Sequence, residues 1–113
     1  MKTNIINLEN YRTQLGNVKS KVFTGRDRGL EVREKSQIDA LFDKYEKVKL
    51  VIPNDIFSIT PSFLEELFFN VVRTHGKKIL YEKLDLEGNS YDLHDPLDEA
   101  VDRILQHKTG LDK

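Results

Sequence analysis

Two short stretches hold the residues best suited to chemistry. In Thr24-Gly25-Arg26-Asp27-Arg28-Gly29, glycines and arginines gather where an extended segment gives way to helical spacing. At such a junction backbone N–H groups and guanidinium groups can be turned towards an anion. With Arg33 one turn further on, Gly25, Arg26, Gly29 and Arg33 form a candidate anion-binding set. It is not a Walker sequence, because no Lys-Ser/Thr pair follows. The alternative account is a turn glycine, a helix start, and arginines paired with Asp27, Glu31 or Glu34. Geometry separates the two: a cradle needs Arg26 and Arg33 to approach each other or the start of the next long helix.

The second stretch, Ser58-Ile59-Thr60-Pro61-Ser62-Phe63, surrounds a helix start with hydroxyl groups. Thr60 reads as the cap, Pro61 as the first helical residue, and Glu65 and Glu66 as carboxylates in or beside the first turn, where they favour the positive end of the helix dipole. One hydroxyl caps the helix. The same place would welcome a phosphate, which would change any surface that docks there. Ser58, Thr60, Ser62 and Phe63 are therefore the candidate partner-binding residues, with the hydroxyls as candidate phosphoacceptors.

Little else resembles catalytic machinery. His75, His94 and His107 show no metal-ligand spacing, and in Tyr91-Asp92-Leu93-His94-Asp95 the last residue reads better as a helix cap than as a ligand. The absence of cysteine removes disulfides, thiol nucleophiles and Cys-bound metal, and suits a reducing compartment. The expectation is a non-enzymatic protein with no cofactor and no metal.

Composition sets the frame. The 113 residues are 38% hydrophobic and 33% charged, enough for one domain with a modest core and a densely charged surface. Net charge is -1, with Lys2, Arg12, Lys19 and Lys21 set against Glu9 at the start and an acidic excess after residue 82. Nearly every basic residue has an acidic neighbour, so the basic stripe of a nucleic-acid binder is missing. No apolar run reaches the ~20 residues of a spanning helix, and the polar opening Met1-Lys2-Thr3-Asn4 does not read as a signal peptide. A cytoplasmic protein away from the membrane is expected.

The elements that would position these residues can be read from hydrophobic spacing. Ile5, Ile6 and Leu8 suggest an edge strand, Gly16-Asn17 a turn, and Lys21–Thr24 a second strand. A helix from about Asp27 to Glu46, weakened by Gly29 and kinked or split at Ser36, carries Ile38, Leu41, Phe42 and Tyr45 on one face. Val48–Ile52, closed by Pro53-Asn54, reads as a central strand buried on both faces. Phe63, Leu64, Leu67, Phe68, Val71 and Val72 make a wide apolar stripe on a helix that stops at Gly76. Lys78–Leu84 alternates well enough for a strand, with a short helix as the alternative. Glu87-Gly88-Asn89-Ser90 is a turn, and Asp95-Pro96 opens a last helix ending near Lys108 to Gly110. The order implies α/β layers. The boundaries expected are an N-terminal strand or extension over 1–20, a domain over 21–108 and a tail over 109–113.

The ordered set of motifs resembles a known family. Strand V-K-L-V-I, a loop, then I-T-P-S-F-L-E-E-L-F is similar to the centre of STAS domains, the fold of bacterial anti-sigma-factor antagonists. It is closer still to bacterial STAS-like domains. In these a G-R-x-x-G-x-x-x-R segment precedes the first main helix, and a small residue followed by Phe and an acidic-hydrophobic run opens the second. Gly25-Arg26, Gly29 and Arg33 match the first pattern; Ser62-Phe63, Glu65 or Glu66, and Leu67-Phe68 match the second. The resemblance spans roughly Val22 to Leu105. It implies a single α/β domain with a mixed sheet of about four strands packed with about three helices. It also implies a regulatory switch that docks a protein partner, an anti-sigma factor with a histidine-kinase-type ATPase fold, through the start of the second helix. The phosphoacceptor then falls near Thr60 or Ser62, although the D-S-S-G pattern of true antagonists is absent, with Phe63 where its glycine would stand. The rival reading is a small anion- or nucleotide-binding domain using Arg26, Arg33 and the helix N-termini. A homodimer is a third arrangement.

Overall fold

The computed structural model describes residues 4–88 and 92–110, apart from the side chains of Leu15 and residues 107–110. Strand β1 (Ile5–Asn7) leads through a 3-10 turn (Leu8–Tyr11) into a hairpin of β2 (Gln14–Leu15) and β3 (Val18–Lys19), and then β4 (Val22–Phe23). Helices α1 (Arg26–Ser36) and α2 (Ile38–Lys44) follow, then β5 (Val48–Val51), β6 (Ser58–Ile59), α3 (Pro61–His75), α4 (Lys77–Lys83), β7 (Leu84–Glu87) and α5 (His94–Gly110).

The main sheet has the order β1-β5-β7 and is parallel throughout, with Ile6 opposite Leu50 and Leu50 opposite Leu86. In β5, Val48 and Leu50 are fully covered while Lys49 and Val51 are half-covered. The strand is central, as its composition suggests, but only one face is sealed, and on the other Lys49 pairs with Glu87 at 3.0 Å. Since β1 belongs to this sheet, residues 5–7 are part of the domain's frame. Two further ladders stand apart among the described residues: β4 runs parallel to β6, with Phe23 opposite Ile59, and β2 pairs antiparallel with β3. The expected mixed sheet of about four strands is thus a three-stranded parallel sheet plus two short ladders. The antiparallel pairing is confined to the hairpin.

Helix α3 is the principal packing element, lying mainly against α1 and α5. Phe63, Leu64, Leu67, Phe68, Val71 and Val72 are all buried. Each contributes about 1.5–3 kcal/mol of burial energy. Phe63 meets Phe23 with ring centroids 5.2 Å apart, and Phe68 meets Phe42 edge-on at 6.3 Å. Phe69, outside the stripe, is half-buried beneath the Arg73 guanidinium, 5.3 Å from its ring centre. The split expected near Ser36 falls at Gln37, whose φ of 58° takes the left-handed conformation that ends α1 and turns the chain into α2.

Three boundaries differ from expectation. Lys78–Leu84 is not a strand: α4 fills Lys77–Lys83 with Leu80 buried, and the alternation belongs to β7, where Leu84 and Leu86 turn inward. With α4 and the divided first helix, the described residues form five α-helices rather than about three. The last helix starts at His94, its N–H donating to the Asp92 carboxylate at 3.0 Å, so Asp95 lies in the first turn and not at the cap. Its end at Gly110 falls within the expected range of Lys108 to Gly110. Asn89, Ser90 and Tyr91 lie outside the described residues, as does the side chain of His107. No helix among the described residues is long and apolar enough to cross a membrane.

Candidate functional site

The start of α3 is built around the Thr60 hydroxyl. Thr60 has extended backbone angles, φ −84° and ψ 155°, and its Oγ1 accepts the Phe63 N–H at 3.4 Å, the capping bond its sequence context suggests. The same oxygen accepts the Gly25 N–H at 3.3 Å. Thr60 donates its own N–H to the Phe23 carbonyl at 3.0 Å, extending the β4–β6 ladder by one bond. Gly25 holds φ at 88°, which L side chains rarely adopt, and its carbonyl accepts the Gly29 N–H at 3.2 Å to open α1. One hydroxyl thereby ties together the starts of the two helices that carry the sequence motifs.

From this origin α1 and α3 close on each other. Gly29 is buried where the helices cross: a Cβ built on it would lie 2.3 Å from the Phe63 carbonyl oxygen and 2.8 Å from the Glu66 Cβ. One turn on, Arg33 donates to the Glu66 backbone carbonyl at 2.9 Å and approaches its carboxylate at 3.5 Å. Arg26 reaches the Glu65 carboxylate at 3.1 Å. Positions 26, 29 and 33 share one face of α1, and that face is what α3 meets.

Glu65 is the unusual member. It is 1% exposed, and Arg103 of α5 lies 3.8 Å from the other of its two carboxylate oxygens than the one Arg26 reaches. A carboxylate so far from water has to be answered by charge and hydrogen bonding. Arg103 also approaches the Ser62 hydroxyl at 3.5 Å and pairs with Glu99 at 2.5 Å. Two helices therefore converge on the first turns of α3, α1 through Arg26 and α5 through Arg103, and meet Ser62 and Glu65 there.

The sequence-derived residues fall into distinct places. Thr60 and Ser62 are half-buried at the helix start and Ser58 is half-buried in β6. Phe63 lies wholly in the core against Phe23, so its side chain is on no surface a partner can touch. Gly25 is exposed, Gly29 is sealed between helices, and both arginines do approach α3, as the cradle reading requires. They meet carboxylates there. Glu65 and Glu66 stand past the first turn, which contains no acidic residue, and serve as partners of Arg26 and Arg33 rather than as dipole charges. Of the pairings expected within α1, only Arg28 with Glu31 forms.

Sequence reasoning missed three contributors. Arg103 shows no local pattern linking it to residue 65. Phe57, in the connection just before β6, is 67% exposed although its N–H is held by the Lys21 carbonyl at 2.9 Å. Arg12, only 5% exposed, is bidentate on Asp55 at 2.9 and 2.8 Å and also bonds Glu9 and the Ser20 carbonyl, each at 2.9 Å. It pins the N-terminal hairpin to the loop that carries Phe57. Hydrogen bonding to Arg12 lowers the Asp55 pKa, Lys19 first and Arg12 second lower that of Glu9, and the bond to Asp55 raises that of Arg12.

The two histidines with described side chains are each tied to a carboxylate. His75 bonds Asp43 at 2.7 Å, joining the end of α3 to α2, and His94 bonds Asp92 at 2.7 Å. Among the described residues no cluster of three or more His, Asp or Glu is arranged to hold a metal ion.

Fold and site together define a single α/β domain with a three-stranded parallel sheet and a central helix whose start is clasped by its neighbours. Comparisons of the chain with protein-family models, with curated proteins and with solved structures gave no match.

Proposed function

We propose that this chain is a non-enzymatic regulatory module that docks a partner protein through the start of α3 and the loop leading into it. The supporting observation is Phe57: a large aromatic side chain 67% exposed, in a loop fastened by Arg12, three residues before the Thr60 cap. Apolar side chains held in water beside polar groups are typical of interface anchors. The half-buried Thr60 and Ser62 leave the polar end of α3 within reach of a partner.

The resemblance to STAS-like domains supplies the partner class, a histidine-kinase-type ATPase of the anti-sigma type, and the idea of a phosphorylated hydroxyl. Of the two hydroxyls at the helix start, Ser62 suits that role better. Thr60 Oγ1 already accepts two backbone N–H groups, whereas Ser62 Oγ has only the 3.5 Å approach of Arg103, a cation able to receive a phosphate. The rival anion cradle is less well supported, because an anion at Arg26 or Arg33 has to displace Glu65 or Glu66.

The test is a binding measurement with a kinase-type ATPase encoded in the same operon, with and without ATP. Complex formation that weakens at least ten-fold in Phe57→Ser and Ser62→Asp, with Ser62→Ala still binding, supports the reading. Absence of a complex in every nucleotide state, or a complex indifferent to Phe57, overturns it.

A further inference from the structure

Helix α1 has a second working face. Arg28, Glu31, Val32 and Lys35 recur at helical spacing on the side turned from the Arg26 and Arg33 contacts, and line a cavity with the end of the 3-10 turn and the two residues after it. The cavity is about 350 Å³, with the fully buried Val32 among its lining residues and Tyr11 and Thr13 opposite. That volume suits a small ligand.

The cavity is set up for negative charge. Arg28 is fixed by bonds to the Tyr11 carbonyl and the Glu31 carboxylate, and its guanidinium lies 6.0 Å from the Phe23 ring centre. Lys35 bonds the other oxygen of Glu31 at 2.9 Å, so one carboxylate answers two cations. Arg12 also lines the cavity, its charge already met by Glu9 and Asp55 on the far side. The lining therefore holds one positive charge beyond what its own carboxylate balances. Among the described residues the Asn10 amide and the Thr13 hydroxyl, both exposed, have no side-chain hydrogen bond and are open to a ligand's polar atoms.

We propose that this cavity binds a small organic anion bearing one phosphate or carboxylate, received by Lys35 and the free N–H groups of Arg28, with Tyr11 against the ligand's body. The site is separate from the start of α3, and binding here does not depend on the docking function. Arg28 is held before any ligand arrives, so little ordering is required of it, while Lys35, its side chain 64% exposed, can swing from Glu31 to the incoming charge.

The experiment titrates the full chain, nitrogen-15 labelled, with phenyl phosphate, benzoate and inorganic phosphate, following backbone amide shifts. Saturable shifts confined to residues 10–13 and 28–35 are expected. Affinity should drop about ten-fold in Lys35→Ala and further in Lys35→Glu, a substitution at an exposed position that leaves the fold intact. Thr13→Val should weaken binding, and Arg26→Ala should leave it unchanged. A response from phosphate and benzoate alike assigns the site to the anionic group; a response to phenyl phosphate alone assigns it to phosphomonoesters. Non-saturating shifts, shifts centred on Gly25 to Arg26, or affinity unaltered in Lys35→Glu would each overturn the proposal.

Discussion

Gly29 sits so close to Phe63 that a single methyl group on it would fall 2.3 Å from the Phe63 carbonyl oxygen. The obstacle is helix backbone, which cannot rotate aside as a side chain can. This contact sets how deeply α1 beds onto α3, and with it the reach of Arg26 to Glu65 and of Arg33 to the Glu66 carbonyl.

Gly29→Ala should therefore destabilise the domain, although alanine is by itself the better helix former by about 1 kcal/mol. Forcing the helices apart costs about 1–3 kcal/mol beyond that gain. Urea denaturation followed by circular dichroism measures it. A variant as stable as the parent or more so would mean that the crossing has slack which the geometry denies.

Arg26 and Arg103 reach Glu65 from two different helices, so their contributions should be coupled. Arg26 is half-exposed and solvent screens much of its pair. Removing either arginine alone should cost only about 1 kcal/mol. Removing both leaves a buried carboxylate without these two cations, and the double variant should lose about 3 kcal/mol or more, beyond the sum of the singles. Glu65→Gln in the double-variant background should recover much of the loss by removing the charge. Strict additivity in this cycle would show that the two arginines act independently.

Acid should loosen the N-terminal hairpin through Arg12. Glu9 and Asp55 have folded-state pKa values below their ordinary 4.5 and 3.8, held down by bonds to Lys19 and Arg12. A depressed carboxylate pKa stabilises the fold fully above the unfolded value, and the contribution disappears as pH falls through the folded one. Stability should hold from neutrality to about pH 4.5 and fall below it. In Arg12→Ala the chain should be less stable at pH 7 and its acid dependence shallower. Denaturation midpoints at pH 7 and pH 3 for both proteins provide the check; parallel losses in the two would clear Arg12 of the effect.

How much of this could be read in advance depended on how local each signal was. Thr60-Pro61 and Gly76 delimit α3 because a cap, a proline and a glycine with φ of 93° act on their immediate neighbours. The α1–α2 break was legible for the same reason. β4 falls within the strand expected over Lys21–Thr24, but by contrast β6 is two residues long and exists only because Ser58 and Ile59 find Val22 and Phe23 across the chain. Lys78–Leu84 misleads because apolar residues sit at both ends of a run too short to separate helical from alternating spacing, and its position after Gly76 lets a new helix start at once. The two motifs at the candidate site could be picked out separately, but not the fact that one grips the other. Nothing in the order of residues announces that Glu65 is buried, or that Arg103 arrives from a helix some forty positions away.

A second pH dependence, opposite in sign, belongs to the start of α5. His94 bonds Asp92 through its ring and, through its backbone N–H, opens the helix. The hydrogen bond to Asp92 is the main cause that raises the His94 pKa above 6.5, while Asp92 is lowered chiefly by the backbone bond from His94. A raised histidine pKa contributes stability that is complete below the unfolded value and is lost as pH climbs through the folded one. The protonated pair should thus hold the first turn of α5 below about pH 6.5 and release that contribution as pH rises through the raised folded-state value. Both groups are exposed, so the global stability should barely move and the effect is best seen locally. Proton NMR of the His94 ring should give a titration midpoint above 6.5 that returns towards 6.5 in Asp92→Asn. A midpoint already at or below the ordinary value in the parent chain would remove the ion pair from the account of how α5 begins.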